Sequence, residues 1–345
     1  MSGRTLEAFL DDYSEGGGAV GAHVAETIRL FAEAAVRMRL AINEGALGAA
    51  FSAVREAAHA HGDEQKELDV FADDLFLDAA RRARVSYYAS EELAHPVSVD
   101  QSSEIAIAID PLDGSSNIDT NVSIGTIFSI LPSKEDEAST FTQPGNCQLA
   151  AGFFIYGPQL ALALTLGQGT SVFVYSARLE AFVEAYPKLA IPPDAREFAV
   201  NTSNYRHWDE AVRLYIDDCL KGAEGPREKD FNMRWIASLV ADTYRILIRG
   251  GVFFYPGDGR KGYSAGRLRL VYEANPISML IEQAGGKATD GTSRVLDKVP
   301  TGLHQRSPLA FGSVKEVDKI ARYLADPSAI GNRHPLFGNR GLFRS

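Results

Sequence analysis

The chain has 345 residues, 45% hydrophobic and 23% charged, which is enough core for a globular protein that needs no staples. Its 45 acidic residues against 35 basic ones leave a formal charge of −10, which argues against nucleic acid, whose affinity rests on neutralising phosphates. Two cysteines, no long apolar run and no charged-then-apolar leader argue against a disulfide framework and a membrane span, and predict a cytoplasmic protein.

Gly16, Gly17 and Gly18 are expected to separate a short N-terminal arm from a helix over 22–42, where Ile28, Phe31, Ala35 and Met38 recur at helical spacing. A second helix is expected at 47–59 and a third at 70–83. The run 104–110 is apolar until Asp110 and is stopped by Pro111, as a buried strand would be. Residues 125–131 predict another strand. The stretches 151–156, 159–165 and 170–175 predict a meander joined by Gly-containing turns. The polar stretch 133–147 predicts a surface loop. Three prolines within 186–194 mark the expected boundary between a lobe of 1–190 and one of 191–345. Further on, helices are expected at 209–220, 235–248 and 275–284, the last with Pro276 at its first turn and Gly285 after its end. A strand is expected at 251–255. Alternating helices and strands predict an α/β or layered class.

The densest chemistry is Asp110-Pro111-Leu112-Asp113-Gly114-Ser115-Ser116-Asn117. A strand ending at Asp110 and a turn projecting Asp113 would bring two carboxylates and the Leu112 carbonyl to one hard divalent cation. Gly114 would let backbone approach an anion, and Ser115-Ser116 could open a helix whose N–H groups bind phosphate. Glu91 and Glu92 follow a β-prone segment. Asp63 and Asp69 sit at the opening of a helix, where carboxylates suit the dipole. Glu273 closes an apolar run, and burying it is costly unless it meets a cation. Taken singly, Asp63 and Asp69 are most simply a cap and a surface carboxylate, and Glu91-Glu92 a solvated pair. Tyr205, Tyr255 and Arg234 alone would be core-edge aromatics and a surface charge.

Together these motifs resemble the class I fructose-1,6-bisphosphatase family over about residues 6–324. They are GDEQKELD, SEEL, DPLDGSSNID, VSIGTIFSI, GGVFFYP, LRLVYEANP and AGGKATDG, in that order. The resemblance implies an α/β fold of layered αβαβα type with mixed sheets, two lobes and a homotetramer. It implies Mg²⁺-dependent hydrolysis of the 1-phosphate of fructose 1,6-bisphosphate, with two or three Mg²⁺ per site, or Mn²⁺. Glu91, Asp110, Asp113, Glu273 and the Leu112 carbonyl match metal ligands. Asp63, Asp69 and Glu92 match the acidic groups near the attacking water. Gly114, Ser115 and Ser116 match the 1-phosphate cradle, and Asn201, Tyr205 and Tyr255 the distal phosphate contacts. Arg234 matches an arginine that reaches a neighbouring subunit's site.

The chain also departs from the family pattern. Arg267 stands where the family usually has a substrate-binding lysine, and Trp235 replaces a common tyrosine. Glu104-Ile105 replaces a Lys-Tyr pair of AMP-inhibited relatives, and Val20 to His23 departs from the usual nucleotide cradle, so weak AMP inhibition is expected. The 133–147 loop holds one cysteine, which excludes an intraloop disulfide. The alternatives are a dual enzyme that also takes sedoheptulose 1,7-bisphosphate, an inositol-phosphate or nucleotide phosphatase on the same core, and an inactive sugar-phosphate sensor. Gluconeogenesis and the Calvin cycle both fit the chemistry.

Overall fold

A computed structural model describes residues 3–53 and 63–325. In chain order it has helices α1 (Leu6–Ala53) and α2 (Asp63–Ala83), then strands β1 (Tyr87–Ser90), β2 (Val97–Ser98), β3 (Ile105–Asp113) and β4 (Ile124–Pro132). A short helix α3 (Glu137–Phe141) leads to β5 (Ala150–Tyr156), β6 (Leu160–Thr165), β7 (Thr170–Ser176) and β8 (Ala181–Tyr186). Next come β9 (Glu197–Ala199), α4 (Glu210–Leu220), β10 (Asn232–Met233), α5 (Leu239–Arg249), β11 (Val252–Tyr255) and β12 (Leu268–Arg269). The chain closes with α6 (Asn275–Gln283), β13 (Lys287–Thr289), β14 (Arg306–Ser307), β15 (Leu309–Gly312) and α7 (Val314–Ala325).

Strands β1 to β8 form one eight-stranded sheet, in the order β2-β1-β3-β4-β5-β6-β7-β8. Only β1 and β3 pair in parallel within it. A second sheet runs β10-β9-β11-β15-β13 and is also mixed. Alternation along the strands sorts the core into layers. On β5, Phe154 packs with Phe31 of α1 and Phe76 of α2, while Phe153 faces Ile277 and Leu280 of α6. On β11, Phe253 joins that α5–α6 layer, whereas Val252 and Phe254 face Tyr215 of α4 and Val317 of α7. The order is therefore helix, sheet, helix, sheet, helix, the αβαβα arrangement expected. Phe31 meets Phe76 and Phe128 edge-on, with ring centroids 5.3 and 5.5 Å apart. Each such pair adds about 0.5–1.5 kcal/mol to the area it buries.

Several expectations need correction. The glycines at 16–18 do not separate an arm, because α1 runs through them from Leu6. Each glycine costs a helix roughly 1 kcal/mol relative to alanine, and burial of Leu6 and Leu10 against the core outweighs that locally. The helices expected at 22–42 and 47–59 are one helix through Ala53; residues 54–59 lie outside the described residues. Helix α2 begins at Asp63, not 70. Helix α5 begins at Leu239, where Ser238 caps it by accepting the Ala241 N–H; Trp235 instead stacks on Phe253. The 133–147 stretch contains α3, and β8 was not anticipated.

Strand β3 does not stop at Pro111. It continues to Asp113 through a bulge: Asp110 stands opposite Ile127 and Asp113 opposite Gly125. Three steps along β3 thus face two along β4. Without the extra residue, side chains three apart on a strand would point to opposite faces. Thr126 donates its hydroxyl to the Pro111 carbonyl at 2.8 Å, satisfying backbone that the bulge takes from the ladder.

Candidate active site

Strand β3 is buried along its length. Its isoleucines 105, 107 and 109 pack towards the α1–α2 layer, and Ala106 and Ala108 leave room on the other face for Val271 and Tyr272. Those two residues belong to a single π-helical turn, Leu270–Ala274, that leads into α6 and carries Glu273. Carboxylate oxygens of Asp110, Asp113 and Glu273 lie within 4.8 Å of one another, all three side chains buried. Elements far apart in sequence deliver them, so the cluster exists only in the folded chain.

Such a group cannot stay fully ionised unaided. Burial, with the nearby Glu91 charge, pushes Asp110 and Glu273 well above the usual carboxylate range. Asp113 is pushed up to about 7 by burial, against the pull of the Val240 N–H. Its Oδ2 accepts that N–H at 3.1 Å, at the start of α5. Glu273 Oε2 accepts the Arg269 backbone N–H at 2.5 Å. Three oxygen-donor carboxylates and no sulfur or imidazole suit a hard divalent cation, and such a cation would remove the repulsion. The residues present fit a metal ion.

Glu91 leaves the end of β1 and is held by Arg269, whose Nε donates to its Oε1 at 3.1 Å. The neighbouring Glu92 is raised by burial and by the charges of Asp69, Glu91 and Asp73. Asp69, on α2, is raised by burial, with a Ser115 hydrogen bond opposing, and its Oδ1 is buried without a partner. The side chain of Asp63 lies outside the described residues. Gly114 takes φ 78° and precedes Ser115–Asn117, a three-residue 3-10 turn rather than the expected helix. Asn117 anchors that turn, donating to the Ala237 carbonyl at 2.8 Å. The Leu112 side chain is buried in the core, and its N–H donates to Asp110 Oδ1 at 3.1 Å.

In the second half, Asn201 caps a 3-10 turn by accepting from the Ser203 N–H and hydroxyl. Tyr205 donates to Asp217 at 2.9 Å. Tyr255 ends β11 beside Trp235. Arg267 is exposed and lies over the Tyr263 ring at 5.0 Å. Arg234 is exposed and pairs weakly with Glu197 at 3.8 Å. Sequence reasoning missed Arg260, which lies over the same Tyr263 ring and donates to Asn204 at 3.0 Å. It also missed Arg269, although that residue sits four positions before Glu273 in the run already singled out.

Fold and site together define a layered α/β protein with a buried acidic centre able to hold a metal ion. The model for the fructose-1-6-bisphosphatase N-terminal domain matches residues 27–187, and that for the C-terminal domain matches 191–325. The chain is 61% identical to a class 1 fructose-1,6-bisphosphatase of Rhizobium meliloti over the full length of both. It is 54% identical to one of Azorhizobium caulinodans, over 94% of this chain and all of the relative. A crystal structure of Leishmania major fructose-1,6-bisphosphatase in holo form superimposes with a TM-score of 0.83 at 30% identity, covering 93% of this chain and 99% of that one. The chain belongs to the class 1 fructose-1,6-bisphosphatase family.

Proposed function

We infer that this chain hydrolyses fructose 1,6-bisphosphate to fructose 6-phosphate and phosphate. Family membership supports the substrate, and the convergence of Asp110, Asp113 and Glu273 supports metal-dependent chemistry. Glu91, Asp110, Asp113, Glu273 and the Leu112 carbonyl would hold two or three Mg²⁺, or Mn²⁺ in their place. When bound, the metal neutralises the 1-phosphate and makes a water nucleophilic near neutral pH.

The protein's own groups do the rest. The Val240 N–H fixes Asp113, and Arg269 fixes Glu91, so neither carboxylate must reorganise during the reaction. Glu92 and Asp69, both raised by burial, are suited to take a proton from the attacking water, with Asp63 as a further acidic group. Gly114, Ser115 and Ser116 would cradle the 1-phosphate. Asn201, Tyr205, Tyr255 and Arg267 would hold the distal phosphate, for which a guanidinium is a competent partner. Arg234 projects outward, as a residue serving a neighbouring site in a homotetramer would. Residues 1–190 then form the metal and 1-phosphate lobe, and 191–345 the sugar and distal-phosphate lobe. Among the described residues no helix is long and apolar enough to cross a membrane, and we place the enzyme in the cytoplasm.

Phosphate release from fructose 1,6-bisphosphate, with Mg²⁺ and with chelator, tests the reading. Mg²⁺-dependent release is expected, and none under either condition would overturn it. A parallel assay with sedoheptulose 1,7-bisphosphate decides whether the enzyme is dual, since both substrates share the ketose 1-phosphate end.

A further inference from the structure

On the outer face of the second lobe, a cavity of about 390 Å³ opens between α7 and the chain around Arg227. Five cationic side chains line it: Arg227, Lys229, Lys315, Lys319 and Arg322. Only Asp194, Glu316 and Asp318 oppose them, so five positive charges against three negative leave a surplus of two. That surplus stands out on a protein whose formal charge is −10.

Each of the three carboxylates is already engaged, two of them with cations of the same cavity. Glu316 is buried and accepts from Arg227, from Lys229 at 3.1 Å and from the Tyr215 hydroxyl at 3.1 Å. Asp194 pairs with Lys229 and, at 3.9 Å, with Lys315. Asp318 pairs with Lys287 at 2.5 Å. Lys319 and Arg322 have no ion-pair partner among the described residues. They follow Lys315 at four- and seven-residue spacing, which places the three on one side of α7. Burial and the Arg227 charge lower the Lys319 amine. The buried Arg227 Nε has no hydrogen-bond partner, although its guanidinium is held in place over the Phe231 ring at 4.4 Å. The half-buried Lys319 and the exposed Arg322 therefore bring two unneutralised charges to one cavity, and an anion bound there would balance them.

We propose that this cavity is a second anion site, taking the dianionic phosphoryl group of inorganic phosphate or of a small phosphate monoester, separate from the acidic centre. Lys319 and Arg322 supply the unpaired charges, and the Arg227–Glu316 pair forms the rigid floor.

Acylation of the full-length chain by an amine-selective reagent, read by peptide mass spectrometry, tests this without turnover. Lys319 is followed with Lys134, an exposed lysine elsewhere, as control. Sodium phosphate and glycerol 3-phosphate are the probes, against sodium chloride at matched ionic strength. Either probe should slow Lys319 modification roughly tenfold at ten times its dissociation constant, following simple occupancy, and leave Lys134 unchanged. Protection by both identifies the phosphoryl group as sufficient; protection by glycerol 3-phosphate alone identifies an ester ligand. The variant Arg322→Gln, altered at an exposed position, should lose the protection. Equal slowing by chloride, no slowing by either probe, or full protection in Arg322→Gln would each overturn the proposal.

Discussion

Asp113 and Val240 meet across 127 residues of chain, the carboxylate accepting the first-turn N–H of α5 at 3.1 Å. The contact ties the bulged strand of the first sheet to the helix layer between the sheets. It aims one member of the acidic cluster with a donor that needs no side chain of its own. Truncating Asp113 removes an aimed carboxylate from the buried cluster that could hold a cation. Asp113→Ala should lower kcat/KM by at least ~100-fold, the scale of losing one main electrostatic stabiliser. Phosphate release at saturating Mg²⁺ checks this, and near-normal turnover would contradict the role assigned to Asp113.

The same cluster should oppose folding when no metal is bound. Asp113 is raised to about 7, and Asp110 and Glu273 well above their usual range. Raised carboxylates contribute stability in their protonated form. That contribution is complete below the unfolded value near 4 and is lost as pH rises through about 7. In chelator, Asp113→Asn should therefore gain thermal stability over the parent, more at pH 8 than at pH 5.5. Melting curves of both proteins at the two pH values provide the check; a parent that outlasts the variant at pH 8 contradicts it.

Gly125 stands opposite Asp113 on β4, and a Cβ there would lie 2.4 Å from the Phe154 carbonyl oxygen and 2.7 Å from Val240 Cγ1. Neither neighbour has room to retreat. Gly125→Ala should cost about 1–3 kcal/mol, the range for overpacking a core. It should also disturb Val240 and hence the N–H that Asp113 uses. Denaturant titration and turnover should fall together, whereas loss of neither would show the contact to be slack.

Glu316 is the only carboxylate within hydrogen-bond reach of the buried Arg227 among the described residues. Glu316→Ala leaves that guanidinium buried without a counter-charge, and about 3–5 kcal/mol of stability should be lost. Denaturant unfolding measures it.

Burial pushes the Cys219 thiol up to about 11, on the buried face of α4. Cys147 is only partly buried. Alkylation of native protein at pH 8 should mark Cys147 well before Cys219, because the thiolate is the reacting form. Peptide mapping at short times decides the order.

Much of the fold was legible because its core strands contain apolar runs with sharp polar or Gly-Pro edges, as at Ile105–Ile109 between Glu104 and Asp110 and at Ala150–Tyr156 before Gly157-Pro158. Asp110 and Asp113 were legible as spatial neighbours, because two carboxylates three residues apart at the edge of an apolar run can share a side, although the structure achieves this with a bulge inside β3 and not with a turn after it. Three features were hidden by non-local physics. Gly16–Gly18 carry a local breaking signal that α1 overrides by burying Leu6 and Leu10. Arg269 looked like an ordinary charge, because its importance lies in reaching Glu91, 178 residues away. The π-helical turn that aims Glu273 has a period that neither a helix nor a strand template detects.

The bulge at Pro111-Leu112 has a consequence for how such chains tolerate insertions and deletions. Asp110 and Asp113 share a side because their partners Ile127 and Gly125 are one pleat repeat apart, not because of the four-letter spacing itself. A descendant that deleted one of the two intervening residues could flatten the strand and still keep both acids in register with those partners. One that gained a residue without a further bulge would throw the second acid into the opposite layer and lose the centre.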